Sequence, residues 1–346
     1  MAKEKTALSF NPKEITKNIL SALPEKGRDV LISRFGLGKD TEKKTLESIG
    51  KKYKITRERV RQIESYSIKS LRKSKEFQKE KEAFNELHDL FKKMGSIVRE
   101  SDFLNHISKD KSYQNSVHFL ITIHENFKKE KEDEEFHNRW HIDQDLSKKI
   151  HDALRKLYEN LSNEEILPES KMVNKFLGHL KDVSAEYKEE EILRRWLSLS
   201  KKIGKNPLGE WGRAHSPNIR TKGIKNYAYL LMRRHGSPIH FREVARLIEE
   251  VFKKKAHVAT THNELIKDPR FVLVGRGLYA LREWGYKEGV VKDVIKNLLE
   301  KEGPLTKEEI VEKVLKERYV KENTILVNLQ NPQYFKKEKT GKYTIA

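Results

Sequence analysis

Cysteine is missing altogether from this chain, which excludes disulfides and thiolate metal sites and suits a reducing compartment. No segment approaches the roughly 20 consecutive apolar residues that a transmembrane helix needs. The first ten residues, MAKEKTALSF, contain no apolar core of signal-peptide length. Hydrophobic residues make up only 36% of the chain and charged residues another 36%, so the cores must be modest and the surface densely charged. Catalytic signatures are scarce too. There is no glycine-rich phosphate loop, nucleophile elbow or His-Glu-x-x-His motif. His137 and His141 have the four-residue spacing of a metal-chelating pair, but no third ligand accompanies them and Trp140 between them suggests strand. Acidic residues beside lysines, as at Glu42-Lys43-Lys44, sit in charge runs that read as solvated. The expectation is a protein without catalysis, cofactor, metal or small-molecule substrate.

What is abundant is positive charge. Lysine and arginine total 72 against 52 aspartates and glutamates, giving +20 at pH 7 and an isoelectric point near 9.6. Such a balance favours a polyanionic partner, because each phosphate contact releases condensed counterions. The length, 346 residues, allows two or three average domains, or more if the modules are small.

The most informative stretch is residues 45–72, TLESIGKKYKITRERVRQIESYSIKSLR. Residues 45–53 read as a short helix with Leu46 and Ile49 on one face, and Lys54-Ile55 as a turn. Thr56 is a good N-cap, since its hydroxyl can accept from the free N–H groups of the following turn. Val60, Ile63 and Leu71 mark the buried side of the second helix at near-helical spacing. Arg57, Glu58, Arg61 and Gln62 stand elsewhere as two pairs four residues apart, one turn above the other. These side chains suit the major groove: arginine donates twice to guanine, glutamate accepts from the cytosine amino group, and glutamine pairs with adenine. In helix-turn-helix docking the first turns of the second helix meet the base edges.

Residues 23–72 resemble region 4 of the bacterial sigma-70 family. LPEKGRDVLISRFGL (23–37) matches the helix before the motif, and TLESIGKKYKITRERVRQIE (45–64) the promoter-reading part. The resemblance implies that Arg57, Glu58, Arg61 and Gln62 contact bases of a −35 promoter element and adjacent phosphates. Thr56, Arg59, Lys69 and Arg72 are further phosphate candidates. It also implies that Leu31, Ile32 and Phe35 dock on the flap of the polymerase β subunit, although ordinary core packing is an equally good account of these three. Lys54 departs from the small or polar turn residue usual in the family, which bears on turn stability more than on base choice.

The C-terminal part contains an internal repeat. GSPIHFREVARLIEEVF (236–252) parallels GPLTKEEIVEKVLKERY (303–319), and DPRFVLVGRGLYAL (268–281) parallels NPQYFKKEKTGKYTI (331–345). Each copy gives a helix, a short strand, two helices and a hairpin, the layout of a winged helix-turn-helix. Residues 222–285 resemble the HARE-type winged-helix module, also found at the start of the polymerase delta subunit and fused to restriction enzymes and chromatin proteins. Tyr227-Ala228, Pro238, Phe241 to Ala245 and Phe271 to Leu281 carry that likeness. Within it Arg276, at the hairpin tip, and Lys253 to Lys255 are candidate phosphate contacts. Weaker copies fill residues 83–215, with Trp140, Trp211 and Trp284 at module ends.

The expected fold is mostly α with small β-hairpin wings: an N-terminal helix-turn-helix domain followed by tandem winged helix-turn-helix modules. Its parts are a flexible tail (1–10), a sigma region 4-like domain (11–73), two helical, winged-helix-like modules (74–145 and 146–215), a HARE-type module (222–286) and a second C-terminal winged helix (287–346). Residues 73–81 form a charged connector. The expected partners are double-stranded promoter DNA and the RNA polymerase core, with no membrane, in a cytoplasmic, nucleoid-associated setting. Region 4 starts so near the N-terminus that no promoter-melting region precedes it, so a sigma-like regulator is expected rather than a complete sigma factor. The alternative is a delta-like polymerase accessory subunit acting mainly through protein contacts.

Overall fold

The computed structural model describes residues 8–180, 183–286 and 289–346. Four helices open the chain: α1 (Pro12–Leu20), α2 (Glu25–Phe35), α3 (Leu46–Tyr53) and α4 (Arg57–Arg72). Their ends follow local chemistry. The Asn11 side chain accepts from Lys13 N and Pro12 occupies the first turn of α1, where its missing N–H costs nothing. Gly36, with φ +64°, closes α2 in the left-handed region. Ser74 caps α5 (Lys75–Lys79), so the connector is a short separate helix, with the Phe77 ring tilted against Phe84 at 4.8 Å.

The chain then repeats one element order four times. The first module runs α6 (Lys81–Lys93), β1 (Ile97–Arg99), α7 (Glu100–Ile107), α8 (Lys111–Ile123), β2 (Lys128–Glu130) and β3 (Arg139–His141). The second has α9 (Gln144–Glu159), α10 (Glu169–Leu177), α11 (Glu190–Leu197), β4 (Ile203–Lys205) and β5 (Trp211–Arg213). The third comprises α12 (Ile224–His235), β6 (Ile239–His240), α13 (Phe241–Phe252), α14 (Val258–Lys267), β7 (Phe271–Leu273) and β8 (Leu278–Leu281). The fourth holds α15 (Val291–Glu302), α16 (Lys307–Glu317), α17 (Glu322–Leu329), β9 (Phe335–Lys337) and β10 (Tyr343–Ile345). The first and third modules have three-stranded antiparallel sheets of matching order, β1-β3-β2 and β6-β8-β7. In the second and fourth the first strand shrinks to one bridging residue, Leu167 opposite Trp211 and Leu305 opposite Tyr343. A further device recurs: Trp140 Nε1 donates to Glu100 at 2.7 Å, and Trp211 Nε1 to Glu169 at 3.2 Å. In both pairs a tryptophan of the last strand holds the first residue of the second helix. The fold is mostly helical with small antiparallel hairpins, as the sequence led us to expect.

The packing corrects two expectations. Leu8 is buried, Phe10 packs on the same core and Ser9 hydrogen-bonds Glu86, so the last three residues of the expected tail belong to the fold. Nor does the core stop near residue 73: one continuous cluster takes in Leu8, Ile19, Leu31, Phe35 and Leu71, and also Phe84, Phe91, Phe119 and Trp140. The described residues fall into two compact units. One reaches to Gly204 and includes Trp211–Ala214; the other is Lys205–Glu210 with His215–Ala346. Within the first unit the two modules approach closely at Gly95, whose carbonyl accepts from Trp196 Nε1 at 3.1 Å. A Cβ at Gly95, where φ is +105°, would lie 2.7 Å from Ile192 and 2.8 Å from that indole nitrogen.

A buried polar knot joins the same two modules. Arg139 donates to His151 Nε2 at 2.8 Å and pairs with Glu130 at 2.7 Å and Asp133 at 3.2 Å. Burial first, and the adjacent Arg139 guanidinium second, push the His151 pKa down to about 4. An unfolded histidine titrates near 6.5. Between those values the unfolded chain binds a proton that the folded chain refuses, so stability is complete above pH 6.5 and falls as pH drops toward 4. We expect the loss from this residue to be on the order of 2–3 kcal/mol. Denaturant titrations at pH 7 and 4.5 would measure it, and His151→Gln, which keeps an acceptor but cannot titrate, should flatten the slope.

Candidate nucleic-acid interface

α3 and α4 are held at their angle by a small core of Val30, Ile49 and Val60, ringed by the half-buried Leu46, Tyr53, Ile55 and Ile63. The turn between them is tight. Lys54 takes left-handed angles (φ 52°, ψ 43°), a conformation that costs a non-glycine residue roughly 1–2 kcal/mol. Its neighbour Ile55 donates its N–H to Gly50 O at 3.0 Å. A Cβ on Gly50 would sit 2.7 Å from Ile55 O, so only glycine lets the turn fold back so closely. Gly50 went unnoticed in the sequence, although a glycine one turn before a helix-turn-helix bend is a legible signal. Thr45 and Thr56 cap the two helices, each Oγ accepting a backbone N–H 3.1 Å away, from Ser48 and Arg59.

Capping and core packing leave Arg57, Glu58, Arg61 and Gln62 on the solvent side of the first turns of α4, all exposed. They are not idle in the free chain. Arg61 grips Glu58 with two hydrogen bonds, 2.8 Å from Nε and 2.6 Å from Nη2. Arg59 donates to Gln62 Oε1 at 3.1 Å. The Arg61 hydrogen bonds hold the Glu58 carboxyl below its ordinary range, so at neutral pH it is ionised and can only accept. Behind the row, Glu64 contacts Arg34 at 3.5 Å; burial pushes its carboxyl up while Arg34 opposes the shift. Tyr66, 74% exposed, prolongs the row one turn beyond Gln62. It was missed in the sequence because only the first two turns were read for base contacts.

The remaining candidates divide. Thr56, Arg59 and Lys69 are exposed on the same helix or its cap, and the Thr56 hydroxyl still has its proton to donate. Arg72 must be withdrawn as a phosphate contact: its Nε donates to Ile123 O at 2.6 Å and its Nη1 to Glu125 at 2.9 Å. Arg276 is exposed in the turn between β7 and β8, in the second compact unit. Leu31 and Phe35 are also corrected. Leu31 is 0% exposed and Phe35 only 5%, its ring edge-on to Phe119 of α8 at 5.2 Å. α8 covers the face that a docking partner would need; of the three residues only Ile32 is partly open. His141 lies buried in β3 with Nε2 3.2 Å from Glu130 rather than on a helix, and among the described residues no three acidic or histidine side chains are grouped to hold a metal. No helix among them is long and apolar enough to cross a membrane.

Fold and site together define a helix-turn-helix DNA-binding module at the start of the chain. Residues 19–73 match the family Sigma-70, region 4. Over 56 residues the chain is 52% identical to the RNA polymerase sigma factor RpoD of Helicobacter pylori, covering 16% of this chain and 8% of that protein. It is 44% identical over 59 residues to RpoD of Neisseria gonorrhoeae, covering 17% of this chain and 9% of the other. SigA of Microcystis aeruginosa is 47% identical over 60 residues, covering 17% and 14% respectively. The likeness is thus to a small part of each of these relatives. No solved structure matches the chain.

Proposed function

We propose that this protein is a sigma-like, sequence-specific transcription regulator that reads a −35-type promoter element with the first two turns of α4. The observation that carries the reading is the exposed row Arg57, Glu58, Arg61 and Gln62, directly after the Thr56 cap of a helix-turn-helix. A groove-bound helix would exchange the Arg61–Glu58 and Arg59–Gln62 bonds for guanine, cytosine and adenine edges of similar polarity, so little is lost on desolvation. The protein acts by binding, not by catalysis. Contact with RNA polymerase belongs to the proposal through the same sigma-like segment, but by residues other than Leu31 and Phe35. Residues 222–286, with their helix, strand, two helices and hairpin, are read as a HARE-type module.

The second reading, a delta-like polymerase accessory subunit, has one observation in its favour: α8, the third helix of the first winged-helix module, is covered by the chain's own core and closed to a DNA groove. Selection of random duplexes on the purified protein separates the two. Arg57→Ala or Gln62→Ala should cost roughly 1–3 kcal/mol on the selected site and relax preference at one position. Polymerase capture without any enriched sequence would instead favour the accessory subunit.

A further inference from the structure

The four modules present their third helices to very different surroundings. α8 is buried from Gln114 to Ile121 and again at Ile123. α11 buries Ile192, Leu193, Trp196 and Leu197, and its Arg194 and Arg195 are already paired with Glu190 and Glu191 at 2.6 and 2.5 Å. α14 and α17 expose the whole of their first turns, Val258, Ala259 and Thr260 on one and Glu322, Asn323 and Thr324 on the other, whereas α11 exposes only the acidic Glu190 and Glu191 there.

The hairpins distinguish these two. Residues 128–141 of the first module hold four cations against five anions, residues 203–213 two against one, and residues 271–281 the single Arg276. Residues 335–345, the last hairpin, hold four lysines against one glutamate within eleven residues. Lys336, Lys337, Lys339 and Lys342 are all exposed, and none lies within ion-pair distance of a carboxylate among the described residues. Glu338, the one acid, is engaged by the Thr340 hydroxyl at 3.2 Å. Lys321, exposed at the N-cap of α17, adds a cation beside the helix N-terminus. Four clustered, exposed ammonium groups on one hairpin, with only Lys342 near enough to a carboxylate, Glu309, to act on it, make a phosphate-binding surface, since exposed lysines meet a polyanion with little desolvation and release its counterions.

We infer that the last winged-helix module is a second duplex-DNA contact, held to the phosphate backbone by Lys336, Lys337, Lys339 and Lys342. It rests on the reading of the chain as a DNA binder, but it assigns this surface affinity and not base preference, which remains with α4. Base preference and affinity therefore fail separately.

The test uses the full chain with all four lysines changed to alanine, a second variant with all four changed to arginine, and a control with Lys148, Lys156, Lys171 and Lys188 changed to alanine. Binding to a duplex of about 40 base pairs is measured from low to physiological salt. The expected result for the hairpin alanine variant is a loss of tenfold or more near 100 mM salt. Its slope of log K against log salt should flatten by about 2–4, at roughly 0.9 per phosphate contact, with unchanged sequence preference and melting temperature. The arginine variant should bind like the parent, and the control should lose clearly less. The inference is overturned if the hairpin variant keeps its affinity and slope, if the control loses as much, or if only capture of a protein partner suffers.

Discussion

Phe35→Ala is expected to destabilise the protein by about 3–5 kcal/mol and to lower the unfolding midpoint reported by tryptophan fluorescence. The second effect is the more telling. All four tryptophans, at positions 140, 196, 211 and 284, lie outside the helix-turn-helix segment. If residues 11–73 folded as an independent domain, a cavity in α2 would leave the tryptophan signal of the following modules untouched. Phe35, however, is edge-on to Phe119 and 5.8 Å from His118, and His118 in turn lies 6.0 Å from Trp140. Emptying that site removes packing from α2 and α8 together. In denaturation followed by fluorescence and by far-ultraviolet dichroism, the tryptophan and helical signals of the first unit should shift together to lower denaturant. A fluorescence transition that stays put while part of the helical signal melts early would show that the shared core carries no coupling.

Arg139→Met should be as severe, again about 3–5 kcal/mol, because truncating one member of a buried ionic group strands the others. Arg139 is 5% exposed and ties together the β2–β3 connection and α9. It donates to Lys131 O and His137 O besides His151, and pairs with Glu130 and Asp133. Methionine keeps much of the aliphatic stem but leaves the Glu130 carboxylate facing His141 and His151 without its guanidinium. The double variant with Glu130→Gln should recover part of the loss, since residues in one network do not act additively. Equal destabilisation of single and double variants, measured by denaturant titration, would mean that packing rather than charge compensation holds the knot.

The helix-turn-helix was legible because its signals are local. The Thr56 cap, a turn and a helical spacing of Val60, Ile63 and Leu71 lie within thirty residues, and each found its place, while Thr45, read as the first residue of its helix, proved to be a second cap. The last two modules were legible for a related reason: the repeat displayed the same element order twice. What stayed hidden depends on partners distant in sequence. Leu31 and Phe35 form an apolar stripe that looks the same whether a polymerase or α8 covers it, and Phe119 lies more than eighty residues away. Arg72 had the composition of a phosphate contact, yet the carbonyl that captures it belongs to Ile123. Leu8 and Phe10 follow a lysine-rich start that reads as tail. In the second module a strand reduced to one residue, Leu167, left no alternation to detect, and in the fourth the short strand expected from the repeat is a single bridge at Leu305.

That reduction has a consequence for how the chain can be divided. Three-stranded and two-stranded modules alternate; the first compact unit holds one of either kind apart from residues 205–210, and the second holds the other two. In the second unit Tyr319 of the fourth module donates its N–H to Val274 O at 2.9 Å and bridges Gly275, running alongside the third module's hairpin. The smallest piece that can be excised or grafted whole is thus a couple rather than a singleton. Cutting between its members would uncover hydrogen-bonding backbone and invite illegitimate strand pairing.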